Sequence, residues 1–89
     1  MNKLEMYAKL IFELRTYCNC FYDDTTTREG RHHFHCKAQA VLNFAEKIGL
    51  IDFSTIIRFS LTDSIYDSMF DIKCWVDFEL ERLSHVYVQ

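Results

Sequence analysis

Proline is absent from the 89 residues, and glycine occurs only at Gly30 and Gly49. An average chain of this length carries about four prolines and six glycines. Their scarcity excludes long linkers, collagen-like segments and turn-dense β-sandwiches, which all depend on these residues. No apolar run reaches the roughly 18 residues of a membrane span. The opening Met1-Asn2-Lys3-Leu4-Glu5 lacks the uninterrupted apolar stretch of a signal peptide. The chain is therefore expected to be cytoplasmic, with no membrane partner. Its four cysteines are expected as thiols or metal ligands before disulfides. Catalytic signatures are also missing: there is no G-x-S-x-G, Walker loop, dinucleotide glycine motif or H-E-x-x-H. The expectation is a protein that is not an enzyme.

Apolar bulk is plentiful. Hydrophobic residues make up 49% of the chain and aromatics 16%, which excludes intrinsic disorder. The length fits one domain, residues 1–89, with a core small enough to benefit from a metal, a partner or a second copy. The net charge of −3 disfavours nucleic-acid binding through a global positive field. That charge is uneven. Residues 1–48 hold seven Lys/Arg and six Asp/Glu, whereas residues 49–89 hold three and seven.

Apolar spacing predicts an all-α chain of four helices, a compact bundle-like arrangement. The first covers residues 3–22, with Leu4, Tyr7, Ile11, Leu14 and Cys18 inward and Leu10 and Phe21 beside them. A loop, Asp23–Gly30, follows. The second runs from about Arg31 to Ile48, with Phe34, Ala38, Val41, Leu42, Ala45 and Ile48 inward and Gly49 ending it. Asp52 reads as an N-cap for a short third helix with Phe53, Ile56, Ile57, Ser60 and Leu61 on one face. A strand is the competing reading there, since Ile57, Phe59 and Leu61 alternate. Thr62 or Asp63 caps a last helix to about Val86. Its inward face is Ile65, Met69, Ile72, Val76, Leu80 and Leu83, with Trp75 and Val86 at the margin.

Arg31-His32-His33-Phe34-His35-Cys36 is the densest cluster of potential ligands, and Cys18-Asn19-Cys20 lies upstream. Zinc needs about four converging thiolates and imidazoles. His32 and Cys36, one turn apart, share the polar side of helix two. Cys20 falls on the polar side of helix one, an unusual place for a free cysteine. One reading is a structural zinc held by Cys18, Cys20, His32 or His33, and Cys36, stapling helices one and two. The other is a solvated, histidine-rich helix start with ordinary thiols.

The last helix carries a second apolar stripe, Phe70, Cys74 and Phe78, opposite its main face. Either this helix is central, or the stripe is exposed and meets a partner. The same helix carries Asp67, Asp71, Asp77 and Glu81, with like charges at i, i+4. Such a row suits a basic partner surface. The candidate contact residues are therefore Asp67, Phe70, Asp71, Asp77, Phe78 and Glu81. A weakly basic corner, Arg28, Arg31 and Lys37, offers an alternative: a small zinc-dependent nucleic-acid-binding or regulatory protein. A homodimer through the Phe70/Cys74/Phe78 stripe is a third reading.

The segment Ala38-Gln39-Ala40-Val41-Leu42-Asn43-Phe44-Ala45-Glu46-Lys47-Ile48-Gly49-Leu50-Ile51-Asp52-Phe53 resembles an A-x-x-x-L-x-x-A-x-x-x-G-L/I-I-x-F/Y stretch of small helical proteins. Those proteins are encoded by phages and prophages of Gram-positive bacteria. The acidic charge, short length and missing catalytic motif also look like anti-CRISPR proteins, including inhibitors of Cas9-type effectors. The resemblance implies a non-enzymatic inhibitor that binds a host defence protein stoichiometrically inside the bacterial cell.

Overall fold

The computed structural model describes residues 2–57, 59 and 64–87. Helices follow one another as α1 Lys3–Tyr22, α2 Arg28–Lys47, α3 Phe53–Ile57 and α4 Ile65–Tyr87. There is no strand among the described residues. The expected all-α, bundle-like architecture is what forms.

Local chemistry sets each boundary. Asn2 caps α1 by accepting a bond from the Glu5 amide at 2.8 Å, which satisfies an otherwise unpaired donor. At the other end Thr26 Oγ1 donates to the Cys20 carbonyl at 2.6 Å. Thr27 caps α2, its hydroxyl accepting from the Gly30 amide at 3.0 Å. The cap starts α2 at Arg28, three residues before the expected Arg31, and shortens the connection. Glu29 in the first turn suits the positive end of the helix dipole.

The α2 C-terminus closes as expected at Gly49, which has φ +80°. The Leu50 amide reaches back to the Ala45 carbonyl at 2.8 Å, and the Gly49 amide to Glu46 at 3.0 Å. This is a Schellman closure, and its left-handed residue is best supplied by glycine. Ser64 stands just before α4, where the Asp67 amide donates to its hydroxyl at 3.4 Å. The expected caps Thr62 and Asp63 lie outside the described residues, as do Arg58, Ser60, Leu61 and the side chain of Ile57.

α1 packs against both α2 and α4, and α2 also meets α3 and α4. The core gathers around α1: Ile11, Leu14, Cys18 and Phe21 from α1, Ala38, Leu42 and Ala45 from α2, and Met69, Ile72, Val76 and Leu83 from α4. Fully burying a large aliphatic side chain such as Ile11, Leu14 or Ile72 stabilises the fold by roughly 1.5–3 kcal/mol. Phe59 is buried as well. The turn bond from its amide to the Ile56 carbonyl, 3.0 Å, brings Ile56 and Phe59 to the core together.

Among the described residues, four read as inward or marginal are exposed: Leu4, Ile48, Phe53 and Val86. Leu4 and Val86 lie in the end turns of the long helices, and Ile48 follows the last residue of α2. Phe53, 64% exposed, opens a five-residue helix whose single turn sets Ile56 against the core. No helix among the described residues is long and apolar enough to cross a membrane.

Candidate functional site

The core-facing arc of α4 is centred on Ile72, Val76 and Leu83. At about 100° per residue, Asp67, Phe70, Asp71, Cys74, Phe78 and Glu81 then fall within an arc of about 100° on the opposite side. All six are exposed. Phe70 is 57% exposed and Phe78 67%. The central-helix reading of the stripe is therefore corrected: α4 is packed on one side and bare on the other. From Asp67 to Glu81 the face runs for about 21 Å at 1.5 Å per residue.

Asp77 stands at the edge of this arc and is not a free charge. Lys73 Nζ donates to its carboxylate at 3.0 Å, one turn away. The same bond strengthens the hold of Lys73 on its proton. Asp67, Asp71 and Glu81 thus supply most of the negative field, interleaved with phenylalanine rings. Beside them is a hollow of about 500 Å³ lined by Phe59, Asp71, Cys74, Trp75 and Phe78. Trp75 forms its wall and is braced by Phe59, at 5.7 Å between ring centroids, and by Tyr7, edge-on at 6.5 Å. The face therefore combines carboxylates, exposed rings and a rigid aromatic recess, a composition suited to gripping guanidinium or ammonium groups.

The expected metal cluster does not assemble. Among the described residues, no group of three or more His, Cys, Asp or Glu side chains is placed to hold a metal ion. α1 stays helical through Tyr22, so Cys18 remains on the core face, 2% exposed. Burial, with Asp77 nearby, pushes its thiol up to about 11, and a thiol so reluctant to ionise is a poor zinc ligand. Cys20 is half-buried, while His32, His33 and Cys36 are exposed on α2.

The basic corner is largely committed to the fold. Arg31 Nε donates to the Phe21 carbonyl at 3.0 Å and its Nη2 to Asp23 at 3.3 Å, tying the first turn of α2 to the end of α1. Lys37 lies over the Tyr17 ring, 5.8 Å from its centroid. Only Arg28 of the three has no such engagement described.

Two polar networks escaped the sequence reading. His35 is half-buried, and its Nε2 lies 2.9 Å from the hydroxyl of buried Ser68. Ser68 Oγ donates to the Phe59 carbonyl at 2.9 Å and accepts from Gln39 at 3.3 Å. With the hydroxyl proton committed to Phe59, His35 is the donor to Ser68. Burial, and then the charge of His32, hold the His35 imidazole below its ordinary protonation range. This is a structural clasp of α2, α4 and the Phe59 segment. It is no nucleophile–base pair, because the hydroxyl is buried and its proton points at a carbonyl.

The second network centres on Glu79, a buried carboxylate. Arg82 grips it with Nε and Nη2, each at 3.0 Å, and the Tyr7 hydroxyl donates to it across from α1. The Arg82 bonds hold the Glu79 carboxyl below its usual range. Burial, then Glu79 itself, pushes the Tyr7 phenol far above its own. The signal for both networks was present. His35 is three residues before Ala38, and Glu79 is three after Val76, so each falls on an apolar arc where a polar group requires a partner.

No family model, curated protein or solved structure matches this chain.

Proposed function

We propose that this chain is a non-enzymatic, phage-encoded inhibitor that acts in the bacterial cytoplasm by stoichiometric binding to a basic surface of a host defence protein, a Cas9-type CRISPR effector. The observation that carries the reading is the outward face of α4. There Phe70 and Phe78 stand exposed among Asp67, Asp71 and Glu81, over a recess walled by Trp75. Phe70 and Phe78 lie two turns apart on one face and are rimmed by carboxylates, and an exposed apolar patch with a polar rim is the form an interaction site takes. The carboxylates around them select a cationic partner and steer its approach. The resemblance of residues 38–53 to small phage proteins supplies the source, and the likeness of a short acidic chain without a catalytic motif to anti-CRISPR proteins supplies the partner's class.

The test is titration calorimetry against a purified Cas9-type effector at several salt concentrations. Wild type is expected to bind one to one, more weakly as salt rises. Replacing Asp67 and Asp71 together with lysine should weaken binding at least tenfold and flatten its salt dependence. Both residues are exposed, and reversing the charge of Asp67 in the first turn of α4 costs only about 0.3–1 kcal/mol, so the melt should fall by no more than a few degrees. Affinity untouched by the double substitution would dismiss the acidic face, and no binding by wild type would dismiss the target.

A further inference from the structure

The surface formed by α1 and α2 has a groove of about 470 Å³ that the reading above leaves unused. Met6, Leu10, Val41 and Ile48 line it. Phe44 rises from its α2 wall with 62% of its surface exposed. An apolar hollow and a protruding aromatic ring therefore lie side by side on the same patch.

We infer that this groove is a self-association surface, occupied by a second copy of the same chain about a two-fold axis. An isologous interface must be complementary to itself, each copy offering what the other takes. Here Phe44 is the projection, and the trough beside it is the recess for the other copy's Phe44. The charges fit the same symmetry. Lys9 and Glu13 also line the groove, one turn apart on α1; Glu13 accepts from the Tyr17 hydroxyl at 2.5 Å, and its carboxylate keeps further acceptor sites for a cation. If two α1 helices run antiparallel about an axis midway between these residues, each Lys9 faces the other copy's Glu13. Two reciprocal ion pairs then flank the apolar contact, and the patch carries no net charge.

Charge also excludes the competing homodimer through Phe70, Cys74 and Phe78. That arrangement would bring Asp67, Asp71 and Glu81 of two copies together, with Lys73 already committed to Asp77. Like charges across an interface oppose association. The acidic face thus selects a different, basic molecule, and the neutral groove selects its own copy. The dimer would leave both α4 faces free.

Sedimentation equilibrium from about 1 µM to 1 mM, the span of weak to moderate affinities, tests this directly. Wild type is expected to pass from monomer to dimer with concentration. Phe44→Glu should remain monomeric throughout with its helical spectrum and melt unchanged, since the ring is exposed. Lys9→Glu should weaken the dimer about tenfold by turning two attractions into repulsions. Combining it with Glu13→Lys should restore the dimer. Phe78→Glu should leave it intact. A wild-type monomer at every concentration overturns the inference. A dimer lost in Phe78→Glu and kept in Phe44→Glu also overturns it, by placing the contact on α4.

Discussion

Replacing Ser68 with alanine removes one oxygen at the junction of three segments. The hydroxyl is buried, donates to the Phe59 carbonyl and accepts from His35 and Gln39. Alanine fits the space but leaves the carbonyl without this donor and the imidazole N–H without its acceptor. Each of the three hydrogen bonds removed contributes about 0.5–1.5 kcal/mol net. The half-buried His35 can recover part of its bond from water, so the loss expected is about 2–3 kcal/mol. For 89 residues, the total stability expected is about 4–13 kcal/mol, so this is a large fraction. Urea unfolding followed by circular dichroism measures it. With a slope near 1–1.5 kcal/mol/M, the midpoint should fall by about 2 M, the slope itself unchanged. Ser84→Ala is the control, because Ser84 is exposed and its hydroxyl donates to the Glu81 carbonyl within its own helix. It should change stability by less than about 0.5 kcal/mol. A Ser68→Ala loss no larger than the control's would refute the clasp.

The same network predicts a pH response. The imidazole of His35 is held below its ordinary value of 6.5, so the unfolded chain takes up its proton first. Stability is therefore complete above about pH 6.5 and falls as acid is added, until the folded chain protonates too. His35→Gln should flatten the pH dependence of the melt just below pH 6.5. The depressed carboxyl of Glu79 acts in a lower window: its contribution is present above about pH 4.5 and lost below that, so Glu79→Gln should lower stability at neutral pH and flatten the acid limb. Gly49→Ala meets no atom within 4 Å, yet φ is +80°; strain alone should lower stability by about 1–2 kcal/mol in urea unfolding. Cys18→Ser places a hydroxyl in the core and should cost about 1–3 kcal/mol, while Cys36→Ser at the surface should be neutral within about 0.5 kcal/mol. Comparable large losses in both would bring back the zinc staple.

The long helices were legible because a 3.6-residue repeat sustained over five turns leaves little ambiguity. Ile11, Leu14, Leu42, Met69 and Ile72 all went where their spacing sent them. Boundaries were less so. The start of α2 turned on one hydroxyl, that of Thr27, in a run of three threonines that reads as loop. Phe53 misled because a one-turn helix has no repeat to average over. The candidate face on α4 was visible as a pattern, but whether Phe70 and Phe78 are covered depends on how many neighbours α4 has, which only packing decides. The metal reading failed to assemble for a related reason. Cys18 could turn toward such a site only if α1 ended early, and the chain instead stays helical to Tyr22, bonded to the next loop through Thr26.

The central place of α1 sets an order of events during synthesis. Its contacts with α2 can form once about fifty residues have emerged, as a hairpin of neighbouring helices. Its other flank, which includes Ile11 and Cys18, waits for α4. At about 5–20 residues per second, the ribosome takes roughly two to seven seconds to deliver the remaining turns through Leu83. For that interval a strip of α1 destined for the core faces solvent. Chains stalled after Asp52 should accordingly bind a hydrophobic dye that full-length chains release. The helix that organises the finished molecule is thus also the one left longest without its cover.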